Sequence, residues 1–116
     1  MSFIDKHLRQ SATYWERTGV DSSGDTLFAA PRVVKVRWEA RTAVFTNAAG
    51  EEAQAGAAVF VKEDMNPGDF LFLGASTTAD PTAVSGSREV QGFSKIPHLI
   101  NLSLFERIAF LAARSR

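Results

Sequence analysis

Catalysis and metal binding need side chains that converge, so the reactive residues come first. The chain has two histidines, His7 and His98, and no cysteine. His7 lies in a charged N-terminal segment and His98 follows Pro97, far apart in sequence. A metal or catalytic centre needs two or more converging ligands, and this sparse set reads as ordinary polar surface. Without a thiol there is no disulfide, no thiolate metal site and no cysteine nucleophile. Carboxylates stand side by side at Glu51 and Glu52 and at Glu63 and Asp64. Neighbouring residues of a strand point to opposite faces, so adjacency alone makes no acid–base dyad. No serine occupies a G-x-S-x-G elbow. Gly68 and Gly74 flank an apolar run, but no glycine-rich loop opens a helix to cradle phosphate. The expectation is a protein that is not an enzyme and uses no metal or cofactor.

Aromatic side chains could instead form a base-stacking platform. Tyr14, Trp15, Trp38, Phe60, Phe70, Phe72 and Phe93 are the candidates. In a small β-domain such residues are more often core. The charge balance supports the core reading, because 13 basic residues are matched by 13 acidic ones. A dedicated nucleic-acid binder carries a basic excess, which is missing.

The length, 116 residues, fits one domain, and 45% apolar residues suffice for a core. The segment MSFIDKHLRQ has no apolar signal-peptide core, and no run approaches the roughly 20 apolar residues of a membrane helix. A soluble protein of a cytoplasm-like compartment is expected.

The elements that would position any site read mainly as strands. Residues 3–10 suit a short helix, with Phe3, Ile4 and Leu8 on one side. SATYWERTGV suits a strand, and residues 21–25 signal a turn. A second strand-like piece runs from near Leu27 past Pro31, which marks an edge or a strand start. The clearest period-two pattern is RVVKVRWEARTAVFT at 32–46. There Val34, Val36 and Trp38 share one face and Lys35, Arg37 and Glu39 the other. NAAGEEAQAG reads as a loop or hairpin tip. AAVFVKE follows as a strand, with Val59 and Val61 opposed to Phe60 and Lys62. Residues 66–69 form a tight turn, and FLFLG reads as a buried strand. The small, polar stretch 75–88 is the longest loop. EVQGFSKI returns to strand. The ending is two-sided: Ser103 with Glu106 matches a capping box, while Leu102, Leu104, Ile108 and Phe110 share strand parity. A strand over 105–111 is the preferred reading. The sum is one mainly β domain, a small barrel or sandwich over 11–111 with a short N-terminal helix or arm at 1–10 and a tail at 112–116.

Several stretches follow one another in a familiar order. They are ATYWERTG at 12–19, a glycine-bearing turn at 21–25, and Pro31 followed by VRWEAR at 36–41. Then come a glycine-centred hairpin at 48–52, AVFV with an acidic turn, GDFLFLG at 68–74 and QGFSKIPHL at 91–99. This order resembles small neck proteins of tailed bacteriophages, the head-closure or stopper group of head–tail connectors, over about residues 1–111. The VRWEAR and SKIP elements carry most of the likeness. The helix start offered by Ser103 and Glu106 departs from a family pattern that ends in a strand.

The resemblance implies a non-enzymatic, cofactor-free β-barrel that assembles as a homo-oligomeric ring of sixfold or twelvefold symmetry. The ring would sit in the virion neck, assembled in the bacterial host cytoplasm. The portal or adaptor ring would lie on its head side, the tail terminator or tail tube on its tail side, and packaged DNA in its channel; no membrane is involved. Under that implication, contacts between subunits or rings are expected at Phe3, Ile4 and Leu8 of the arm and at Lys35, Arg37, Glu39 and Arg41. Gly50, Glu51 and Glu52 are expected on a lumen-facing loop, where acidic groups repel the DNA backbone. Thr77, Thr78, Asp80 and Ser85 are expected on a partner-contact loop. Each of these sets also fits plain solvent exposure. A tail terminator or tail-completion role is the near alternative, and a small OB- or SH3-like nucleic-acid-binding barrel is a more distant one.

Overall fold

The described residues, 10–46, 49–97 and 105–112 of a computed structural model, form ten strands. They are β1 (Gln10–Trp15), β2 (Arg17–Val20), β3 (Thr26–Phe28), β4 (Arg32–Glu39) and β5 (Ala43–Thr46). After these come β6 (Glu52–Ala55), β7 (Ala57–Val61), β8 (Phe70–Leu73), β9 (Arg88–Pro97) and β10 (Phe105–Leu111). The expected arm, with Phe3, Ile4 and Leu8, lies outside the described residues, as do both histidines and Ser103. Of the expected 112–116 tail, only Ala112 lies within them.

Six strands close into a barrel in the order β1-β4-β7-β10-β9-β8, and every pairing is antiparallel. The chain lays down β1, β4 and β7 side by side. It then crosses to place β8 against the free side of β1, and returns through β9 and β10 to β7. Closure leaves the barrel without a ladder edge. Two hairpins, β2–β3 and β5–β6, are inserted in the connections β1-to-β4 and β4-to-β7.

Alternation decides what faces in. Val36 is fully buried, and Val34 and Trp38 pack on the core beside Ala12, Tyr14, Val59, Val61, Leu71, Val90, Ala109 and Leu111. The period-two reading of 32–39 is thus realised, but the stretch 32–46 is two strands. The chain turns after Glu39, where the Arg41 amide donates to the Glu39 carbonyl, and β5 leaves the barrel wall. Residues 105–111 are strand, not helix. Its residues Ile108 and Phe110 face outward under the β5–β6 hairpin, while Ala109 and Leu111 enter the core. FLFLG is a strand with mixed burial: Phe70 and Leu71 are buried, and Leu73 is 44% exposed. The second strand-like piece ends at Phe28, before Pro31, and β4 begins after that proline.

Candidate functional site

The barrel wall made of β4, β7, β10 and β9 carries the charged face. Strand register sets its side chains in rows. Arg37 lies opposite Phe60, Phe60 opposite Ile108, and Ile108 opposite Ser94. The next row is Glu39, Ala58, Phe110 and Gly92. The β5–β6 hairpin covers this second row. Ala43, Phe45 and Ala55 pack with Ala58, and Phe45 stacks on Phe110 with ring centroids 5.0 Å apart and planes 7° apart. Gly92 is what admits the ring: a Cβ there would lie 2.5 Å from Phe45 Cδ2 and Cε2.

On β4 the charged residues partly neutralise one another. Glu39 accepts from Arg37 at 3.0 Å and from Arg41 Nε at 2.9 Å. The Arg41 hydrogen bond holds the Glu39 carboxyl below the usual carboxylate range, and the Arg37 and Arg41 charges add to it. The Arg37 guanidinium also lies 5.6 Å from the Phe60 ring centroid. Lys35 donates to the neutral Ser11 hydroxyl at 3.0 Å. The Arg37 and Arg41 side chains are 50% and 53% exposed, so these pairs are worth about 1 kcal/mol or less. The structure therefore gathers Arg37, Glu39 and Arg41 into one exposed cluster, with Lys35 beside it.

Gly50, Glu51 and Glu52 are all exposed at the end of the β5–β6 hairpin. Gly50 has φ +82°, the left-handed conformation that suits glycine. Glu52 opens β6, opposite Thr46.

Neither a family model nor a curated protein sequence matches this chain.

The 75–88 loop wraps the outer face of β1. Thr13, fully buried, donates through Oγ1 to the Gly74 carbonyl at 2.8 Å and accepts from the Ser76 amide at 2.9 Å. Trp15 Nε1 donates to the Thr78 carbonyl at 2.9 Å. Asp80 caps the short 3₁₀ turn Pro81–Ala83 by accepting from the Thr82 amide and hydroxyl. The side chains of Thr77, Thr78, Asp80 and Ser85 are exposed, but the backbone beneath them is fastened to the barrel. Any contact made here is presented on a fixed platform.

Two constellations escaped the sequence reading. Asp69, 1% exposed, accepts from the Tyr14 hydroxyl and from the amides of Arg17 and Asn66. The second sits where β4 starts and β7 ends. Arg32 pairs with Glu63, and Asp64 holds Arg107 at 2.7 Å and Lys95 at 3.5 Å. The adjacent carboxylates Glu63 and Asp64 thus serve separate partners, Glu63 one cation and Asp64 two. Local sequence carries no trace of either, because each joins segments that meet only through barrel closure. Among the described residues, no group of three or more potential ligands is placed to hold a metal ion. No helix among them is long and apolar enough to cross a membrane.

Proposed function

We propose that this chain is a structural subunit of a tailed-phage neck, of the head-closure group, that assembles as a ring. The observation that carries the reading is the division between barrel and hairpins. A closed barrel has no ladder edge to give a neighbour, whereas β2–β3 and β5–β6 each keep two open edges. Val20, Leu27 and Val44 stand exposed on those hairpins. Open edges beside exposed aliphatic groups suit contacts between copies and between stacked rings. The resemblance of its sequence stretches, in their order, to head-closure proteins is the second support.

In this role the ring joins the portal or adaptor to the tail and retains packaged DNA. A chain of zero formal charge lacks the overall basic excess that draws a protein onto phosphate, which suits DNA that must stay free to move in the channel. The work is assembly rather than catalysis, within the virion and its precursors in the bacterial cytoplasm.

Antibody labelling of virions under the electron microscope tests the location. Label at the head–tail junction is expected, and label elsewhere or none at all overturns the reading. Particles blocked in assembly separate the near alternative: head closure puts the protein on DNA-filled heads lacking tails, a tail terminator on tails lacking heads.

A further inference from the structure

We propose that the cleft beside Arg17 receives an acidic side chain of a second copy, with the Arg17 guanidinium as its counter-ion. Arg17 and Phe28 line the cleft from the β2–β3 hairpin, Gly68 and Phe70 from the turn and strand β8, Thr82 from the 75–88 loop and Glu89 from β9. Leu71 points into the core, so its neighbour Phe70 points out of the barrel. Phe28 meets it edge-on, with ring centroids 5.4 Å apart and planes at 86°. The Arg17 amide donates to Asp69 Oδ1 at 2.9 Å, which anchors the residue at the base of the hairpin. Its side chain runs over Gly68, where a Cβ would lie 2.9 Å from Arg17 Cδ. The cleft measures about 170 Å³. That is below the roughly 300–1,000 Å³ of a small-molecule site, and it fits one inserted side chain rather than a cofactor.

The guanidinium is uncommitted. Arg32, Arg37, Arg41, Lys95 and Arg107 each pair with a carboxylate, Lys35 bonds a hydroxyl, and Lys62 has an interaction of its own. Arg17 and Arg88 are the described basic side chains that meet no acceptor, and Arg17 lines this cleft. A carboxylate can take two hydrogen bonds from the planar guanidinium while its methylenes lie on the Phe28 and Phe70 rings. Arginine and aromatic groups are enriched in protein interfaces for this kind of contact. A second copy supplies the acid. Asp21, Asp25 and Asp80 pair with no cation among the described residues; Asp21 and Asp80 accept only from amides and a hydroxyl of their own turns. Each copy thus carries an unmatched arginine in a cleft and unmatched acids on its turns, groups that do not meet within one copy. The inference takes its partner, a second copy, from the ring reading above. Glu89, which has an interaction of its own, opposes an incoming acid from the cleft wall, and this makes the sign of the occupant measurable.

Sedimentation equilibrium of the purified full-length protein at low salt tests the contact, with variants compared at an unchanged circular dichroism spectrum. Arg17→Glu should weaken self-association by roughly tenfold or more. Arg17→Lys keeps the charge but loses the fork, and should weaken it by less. Glu89→Gln removes the opposing charge and should tighten self-association by roughly threefold. A cleft with a purely structural role would show no such tightening, and a basic occupant would reverse both signs. Self-association that Arg17→Glu leaves unmoved, or that Glu89→Gln fails to tighten, overturns the proposal. So does an unmodified protein that stays monomeric up to about 1 mM. A monomer in solution leaves the neck role to the virion label, and a label in the wrong place defeats that role and leaves this contact standing.

Discussion

Tyr14 and Asp69, 55 positions apart in sequence, meet inside the barrel, where the Tyr14 hydroxyl donates to Asp69 Oδ2 at 2.6 Å. Asp69 also accepts from the Arg17 amide at 2.9 Å and the Asn66 amide at 2.8 Å. One carboxyl group thus ties the end of β1 to the tight turn before β8. Its own backbone continues the tie: the Val90 amide donates to the Asp69 carbonyl, and the Gly68 amide to the Val90 carbonyl. Three segments that barrel closure brings together are fastened at this point.

Asp69→Ala strands a buried hydroxyl and two backbone amides. Each unsatisfied buried donor costs about 1–3 kcal/mol. The expected loss for Asp69→Ala is about 3–5 kcal/mol, and for Tyr14→Phe about 1–3 kcal/mol. Urea unfolding followed by tryptophan fluorescence measures both. A loss under about 1 kcal/mol for Asp69→Ala would show that the turn holds without it.

Tyr14 also predicts an alkaline limit. Burial, then the Asp69 hydrogen bond and charge, hold its hydroxyl far above the ordinary tyrosine value. The folded state keeps this proton while the unfolded chain loses it from pH 10.0 upward. The unfolded state then binds fewer protons, so stability is intact below that pH. Above it, stability falls by about 1.4 kcal/mol per pH unit from this group. Tyr14 is the sole tyrosine, so tyrosinate absorbance reports it alone. Absorbance should stay flat through pH 10 to 11 and rise only with unfolding, and Tyr14→Phe should flatten the alkaline stability loss. Titration of the folded protein near the ordinary tyrosine value would refute the buried pairing.

Gly92 and Phe45 form a steric pair. A Cβ at residue 92 would meet the Phe45 ring at 2.5 Å. Gly92→Ala should therefore lift the hairpin from the wall, costing about 1–3 kcal/mol. Hydrogen exchange should quicken in β5 and β6 more than in β1 or β4. In a Phe45→Ala background the clash is gone, and the same glycine substitution should cost a few tenths of a kcal/mol or less. Additive losses would mean that Gly92 acts through something other than this ring.

What the sequence made legible was local. Alternation at 32–39 identifies a strand and its inward residues because period two is a property of neighbours. The same logic places 105–111 in a strand. It fails where coverage comes from afar. Ile108 and Phe110 face outward and are covered by the inserted β5–β6 hairpin, so their parity points away from the main core. Leu73 lies in a fully apolar run yet is exposed, since burial there depends on where the strand ends within the barrel. The strand order, the Asp69 hub and the fastening of the 75–88 loop by Thr13 and Trp15 are long-range outcomes that no window of residues encodes. The charged face was visible from spacing, but the sharing of Glu39 between Arg37 and Arg41 required the turn after β4.

The nucleic-acid alternative makes its own prediction. A base-stacking barrel would retain single-stranded DNA with steep salt dependence. With zero formal charge, binding at physiological salt should be no tighter than the non-specific range of about 10⁻⁴–10⁻⁶ M. Fluorescence anisotropy with a labelled oligonucleotide measures it. Nanomolar binding that collapses between 50 and 200 mM salt, roughly the span over which phosphate contacts are screened, would favour that alternative over the neck role.

Arrangement and total charge on β4 separate cleanly. Exchanging Arg37 and Glu39, as Arg37→Glu with Glu39→Arg, leaves the sum over Lys35, 37, 39 and Arg41 unchanged. It moves the negative group to the position beside Phe60 and sets a cation next to Arg41, where Glu39 now accepts at 2.9 Å. The pairs lost are exposed, so the monomer should stay folded, with a cost of about 1 kcal/mol or less for each. In the ring reading, register between copies depends on where the charges sit, so self-association should fall. Neck assembly, followed by the yield of tailed, DNA-filled particles in a complementation assay, should fall with it. Normal assembly by the exchanged variant would mean that this face is solvent surface and that the contact between copies lies elsewhere.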